Sequence, residues 1–195
     1  MDTKTKIIKN SLELFAQKGY EGTSMSDIAT AVGIRKASIY SHYKGKEEIF
    51  QAVFSSIVEE HSNFLNEFFE TLNGLSAEKK LETIFRGYIS YCKDNRNIDF
   101  WNRFYYFPPE SLRTLIHDTT HETEAVMESE INTSIKEGMD KGYIKEGGVK
   151  EIGIAFYYMM IGFMLSLSFY EDKDMEKDLT ACFNTFWDGI RNNPD

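Results

Sequence analysis

The sequence runs to 195 residues, enough for a small module joined to a larger one, and its 42% hydrophobic and 14% aromatic content excludes a disordered chain. A formal net charge of -9 excludes indiscriminate nucleic-acid binding, yet the charge is uneven: residues 1–50 hold 8 basic against 6 acidic side chains, the remainder 14 against 25. Cys92 and Cys182 sit in no CxxC pair and no set with histidines, so neither a disulfide framework nor a zinc site is expected, and reduced thiols in a cytoplasmic protein with no metal and no cofactor are the reading.

The only prolines are Pro108, Pro109 and Pro194, so almost nothing in the chain breaks helices and an all-α protein is expected. Ile8, Leu12 and Phe15 recur at helical spacing and predict a first helix over Thr3–Lys18, stopped by Gly19. Ser24 stands three residues before Asp27, the spacing of a capping box, and Ile28, Ala29 and Val32 give one apolar face before Gly33 ends a very short second helix. A third helix restarts at about Arg35 to Tyr43, with Ile39 and Tyr43 inward. Two short helices joined at a glycine behind a longer one make a helix-turn-helix. From Ile34 to Lys46 there is no acidic residue, so Arg35, Lys36, Lys44 and Lys46 form a local basic patch on an acidic chain.

A fourth helix is predicted from about Lys46 to Thr71, without a flexible linker before it. Beyond Asn73-Gly74, helical segments are suggested at about Ala77–Lys93, Ile98–Phe107, Glu110–Lys141, Val149–Tyr170 and Met175–Arg191. The total is about nine helices, three in an N-terminal head over residues 1–48 and six in a body over residues 49–195. The most apolar stretch, Ile152–Phe169, is interrupted by Gly153, Tyr157, Tyr158, Gly162, Ser166 and Ser168 and reads as a buried helix. A membrane span is the alternative, disfavoured because the run lacks flanking basic residues.

The segment from Gly22 to Ile49, GTSMSDIATAVGIRKASIYSHYKGKEEI, resembles the DNA-binding signature of the tetracycline-repressor (TetR) family nearly position for position, and the resemblance is specific over about residues 5 to 55. It implies that Lys36 and Ala37 open the recognition helix and face base edges, while Ser24, Ser38, Tyr40, His42 and Lys46 hold phosphates of double-stranded operator DNA. The chemistry is consistent: hydroxyls and basic groups at helix starts donate well to phosphate, and a lysine at the N-terminal end of a recognition helix reaches guanine O6 and N7. Three positions depart from the family pattern. Ala37 replaces a common glycine or proline, Tyr43 a common phenylalanine, and Arg35 a frequent capping serine. The resemblance further implies a homodimeric repressor, not an enzyme and not membrane-bound, released from a palindromic operator by a small molecule.

Two features of the body bear on that small molecule and on dimerisation. The dense aromatic run Phe100 to Phe107 ahead of Pro108-Pro109 reads either as core or as the wall of an apolar cavity for a hydrophobic or aromatic effector. Tyr88, Trp101, Phe104, Tyr105, Tyr157 and Met160 are the candidate lining. Ile152, Phe156, Met160, Phe163, Leu167, Leu179, Phe183, Phe186 and Trp187 give the last two long helices broad apolar faces, expected to pair with a second copy. His117 and His121 stand four apart but lack a third ligand or an HExxH pattern, so an enzymatic metal site is not supported.

Overall fold

The computed structural model describes residues 2–95, 97–167 and 172–192. Among these residues there are nine α-helices: α1 (Thr3–Lys18), α2 (Met25–Val32), α3 (Lys36–Tyr40), α4 (Lys46–Glu70), α5 (Ala77–Asp94), α6 (Ile98–Trp101), α7 (Arg113–Asp140), α8 (Val149–Leu165) and α9 (Asp172–Ile190). No strand occurs among them, only an antiparallel bridge between Ile144 and Arg191. The all-α expectation, with three helices in the head and six beyond, holds.

The helix ends follow from local chemistry. Asp2 caps α1 by accepting from the Thr5 amide at 2.7 Å, and Ser76 caps α5 in the same way. Gly19 and Gly33 close α1 and α2 at φ +74° and +76°, a backbone region L side chains rarely enter. The helix expected over Ile98–Phe107 is subdivided: after Trp101 it widens into a π-helix over Asn102–Tyr106, and Phe107 leaves helical geometry just before the two prolines. A 3-10 turn, Glu110–Leu112, then leads into α7. The end expected for α8 at Tyr170 lies outside the described residues.

The chain packs as two compact units. The first comprises Met1–Asn63 with Arg96–Thr123, the second Phe64–Asn95 with Glu124–Asp195. In the first, Phe15, Phe50, Phe54, Phe100 and Phe104 are buried in one cluster with Ile7, Ile28, Ile39 and Ile49. Phe50 meets the Phe104 ring edge-on at 4.9 Å, and Phe54 stacks on Trp101 at 5.9 Å with planes 6° apart. The α6 and π-helical segment therefore shares a core with α1 to α3 and the first half of α4.

In the second unit Phe85 is the hub, 5.8 Å from Phe163, 6.3 Å from Phe156 and 6.4 Å from Phe183. The largely buried Lys80 ammonium pairs with Glu137 at 2.8 Å, and Arg86 reaches both Glu82 and Glu176. By length and composition α8 is apolar enough to cross a membrane, and only 33% of that stretch, Val149–Ser166, is buried. Its residues divide into two faces. Phe156, Met160, Phe163 and Met164 are in the core, whereas Ile154 (56% exposed), Tyr158 (68%) and Leu165 (37%) face outward.

This division corrects one expectation. Phe156, Met160, Phe163, Leu179, Phe183 and Trp187 are buried inside a single chain, with Phe183 and Trp187 only 2% and 8% exposed, and so are unavailable to a second copy. Apolar periodicity marks burial, but it does not say whether the burying surface is the chain's own.

Candidate nucleic-acid interface

The head presents α3 from a rigid base. Ser24 caps α2 by accepting from the Asp27 amide at 3.1 Å, and Asp27 returns the bond by accepting from the Ser24 amide at 2.9 Å. The Ser24 hydroxyl and then the Ser24 amide, both donating to the carboxylate, together with the Lys18 ammonium at 3.1 Å, hold the Asp27 carboxyl down at about 2. As a phosphate ligand the Ser24 hydroxyl would have to give up its bond to Asp27.

After Gly33 the chain enters α3 through Arg35, which sits at the N-cap position without a side-chain capping bond, as its departure from serine leads one to expect. The Ser38 amide bonds the Arg35 carbonyl at 2.8 Å to close the first turn. Ile39 and Tyr43 are buried and anchor the element. Lys36, Ala37, Ser38, Tyr40 and His42 are all exposed, with Lys36 in the first helical position, where its side chain and the free amides of the helix start share one end. Five of the seven residues expected at DNA are thus brought together on exposed α3 and the turn that follows it. Ser24 is exposed on the neighbouring helix start.

Lys46 is placed differently. Its ammonium donates to the Tyr20 carbonyl at 2.7 Å, stands 4.2 Å above the centre of the Tyr20 ring and lies 3.9 Å from Glu21. It ties the start of α4 to the turn after α1. Arg103, from the π-helix, reaches the last turn of α1 just before it by donating to the Ala16 carbonyl at 3.2 Å. Sequence reading missed Tyr20 and Arg103, since neither contact follows from local spacing.

The six candidate effector residues divide between the units. Trp101 and Phe104 are buried and Tyr105 half-buried in the first, where Trp101 and Tyr105 stack at 4.7 Å. In the second, Tyr88 and Met160 are buried, and half-buried Tyr157 lines a groove of about 260 Å³ with Glu124, Glu128, Asn132, Lys150 and Tyr158. His117 and His121 stack with ring centres 6.1 Å apart, and among the described residues no group of three or more His, Cys, Asp or Glu is placed to hold a metal.

This arrangement of three helices, with a capped second helix and an exposed third, coincides with a known family. The family described as "Bacterial regulatory proteins, tetR family" matches residues 7–53. The match is to the DNA-binding head of that family and covers about a quarter of the chain. Over 48 residues the chain is 54% identical to the biofilm operon icaADBC HTH-type negative transcriptional regulator IcaR of Staphylococcus epidermidis, and 50% identical to IcaR of Staphylococcus aureus. That match spans 25% of this chain and 26% of the IcaR chain, so it concerns the head. Beyond the head the likeness to tetR-family proteins is one of fold. A candidate TetR-family regulator from Mesorhizobium loti aligns at a TM-score of 0.74 over 97% of both chains with 20% identity. The regulator FadR of Bacillus subtilis, solved in complex with stearoyl-CoA, aligns at 0.67 over 94% of this chain and 95% of its own with 21% identity.

Proposed function

We propose that this protein is a tetR-family, ligand-responsive DNA-binding transcriptional regulator, a cytoplasmic repressor that leaves a palindromic operator when a small hydrophobic or aromatic molecule binds. The observation that carries the reading is the exposed row Lys36, Ala37, Ser38, Tyr40 and His42 around the buried Ile39, on a head half-identical to that of a named negative regulator. Lys36 and Ala37 read base edges, and Ser38, Tyr40 and His42 hold phosphates. Lys46 adds a phosphate contact from the donor capacity its internal bond leaves, and Ser24 adds one by giving up its bond to Asp27.

A palindrome requires two heads. The outward stripe Ile154, Tyr158 and Leu165 on α8 is the surface that a second copy covers, since an exposed apolar row on a helix is costly in water. The two heads then sit about 34 Å apart, one helical turn of DNA. An effector that favours another head separation lowers operator affinity by the difference of its affinities for the two states.

In this reading the effector binds beside Trp101 and Tyr105 in the first unit, and what supports it is a stacked, half-buried ring that another flat or apolar group can displace. That a protein of the same fold was solved with a long-chain acyl-CoA supports a hydrophobic ligand class. The Tyr157 groove of the second unit is the alternative location. Footprinting the DNA upstream of the gene tests the reading: a bounded, two-fold symmetric protection supports it, and protection without boundaries rejects it.

A further inference from the structure

We infer that Arg103 is the positioning residue through which the π-helical segment sets the head for DNA, an inference that rests on the DNA-binding reading above. The segment is held inward by Phe100 and Phe104, whose rings lie 4.7 Å apart and pack on Phe50 at 5.8 and 4.9 Å. Arg103 is exposed on this turn and crosses to the end of α1.

There its guanidinium meets two features built to receive it. The Ala16 carbonyl is one of the last four of α1, which have no partner within the helix, and it accepts from Nη1 at 3.2 Å at the negative end of the helix dipole. Gly19 supplies the floor. A Cβ on Gly19 would lie 2.6 Å from Nη2 and 3.1 Å from Cζ, so the flat group rests where any side chain would stand. Glycine is also what the +74° φ of that residue favours, so one residue both ends the helix and admits the arginine.

The turn just after the helix end that Arg103 reaches is the one that aims α2 and α3. Lys46 donates to the carbonyl of Tyr20, the residue after Gly19, and the Thr23 hydroxyl donates back to the Gly19 carbonyl at 2.8 Å, so the stretch from Gly19 to Ser24 has few ways to move independently. Arg103 is two residues from both Trp101 and Tyr105. A change in the π-helical turn shifts the guanidinium first, and the end of α1 follows. A π-helix inside an otherwise α-helical stretch is a common mark of a working site.

The test compares Arg103→Ala and Arg103→Lys with the parent full-length protein on two duplexes, the footprinted operator and the same operator with one base pair added between half-sites, with thermal stability measured in parallel. Losing one charge-assisted bond, Arg103→Ala should bind the native spacing about tenfold more weakly. Because the head is then less fixed, its discrimination between the two spacings should shrink about threefold or more. Arg103→Lys, which keeps a donor for the Ala16 carbonyl, should recover much of both. Parent-like affinity and spacing preference in Arg103→Ala overturn the inference, as does equal weakening on both duplexes that follows a lowered melting temperature and is not rescued by lysine. If the parent itself gives no bounded footprint, the DNA-binding reading fails, and this inference with it.

Discussion

The Lys46 ammonium is bound to the Tyr20 carbonyl at 2.7 Å while capping the face of the same tyrosine ring at 4.2 Å. A side chain whose position in the family pattern implies phosphate is therefore also an internal tie between α4 and the turn after α1. The first prediction follows from this double use. Lys46→Met, which keeps the stem and removes the charge, should destabilise the protein by about 1–2 kcal/mol in the absence of DNA, from one charge-assisted hydrogen bond and one partly exposed cation–π contact. Urea unfolding of the free protein measures it, and an unchanged midpoint would show that the tie contributes nothing.

For the recognition helix, Lys36→Ala should relax sequence preference at one base position per half-site by about 1–3 kcal/mol. Ser38→Ala should weaken all operator variants alike, because phosphate contacts carry no sequence information. Titration against single-base operator variants separates the two. Equal loss on every variant for Lys36→Ala would place it on phosphate.

Acid should destabilise the protein through two groups in successive windows. Burial pushes the His61 imidazole down to about 4, next to Trp101 at 5.2 Å. Its ordinary value is near 6.5, so between about pH 6.5 and 4 the unfolded chain binds the extra proton and stability falls as pH is lowered, by up to about 3 kcal/mol in all. Asp27, held down at about 2, contributes stability that is present above its ordinary carboxylate range and lost as pH falls from there toward 2. Replacing His61 with phenylalanine should flatten the upper window, and Asp27→Asn the lower. Unfolding midpoints at pH 7, 5 and 3 check both, and parallel curves for parent and variants would contradict them.

Association should depend on the outward face of α8. Sedimentation at micromolar concentration should give about twice 22.6 kDa, and Tyr158→Asp or Ile154→Asp should yield folded monomer with weakened operator binding. Phe183→Asp instead places a charge in a buried site beside Phe85 and should unfold the second unit. Circular dichroism distinguishes a monomer that is folded from one that is not.

Effector binding is better probed at Tyr105 than at Trp101. Trp101 shares a core with the head, so Trp101→Ala should cost about 3–5 kcal/mol and damage ligand-free DNA binding as well. Tyr105 is half-buried, so Tyr105→Ala should leave ligand-free binding near parent while weakening release by a hydrophobic compound that quenches tryptophan fluorescence. If release is unaffected, the Tyr157 groove becomes the place to look.

Much of the architecture was legible from short-range rules. Ser24 marks a helix start, and Gly19 and Gly33 mark ends, because caps act within four residues and positive φ excludes most side chains. The exposed α3 row was legible for the same reason, since Ile39 and Tyr43 fix which way the helix faces. What escaped depends on distant partners. The π-helical widening after Trp101 accompanies packing of Phe100 and Phe104 on Phe50, and the ties from Lys46 to Tyr20 and from Arg103 to the end of α1 join residues 26 and 87 apart in sequence. The inward and outward faces of α8 carry equally apolar side chains, and only packing tells Phe156 from Ile154.

The most direct measurement for the central claim is titration of the purified full-length protein on the DNA upstream of its gene, read by footprinting at several salt concentrations. The account predicts protection of two half-sites with centres about 34 Å apart, affinity falling steeply with salt, and loss of base discrimination at one position per half-site in Lys36→Ala. Protection that spreads without boundaries, or a Lys36→Ala footprint identical to that of the parent, would contradict it.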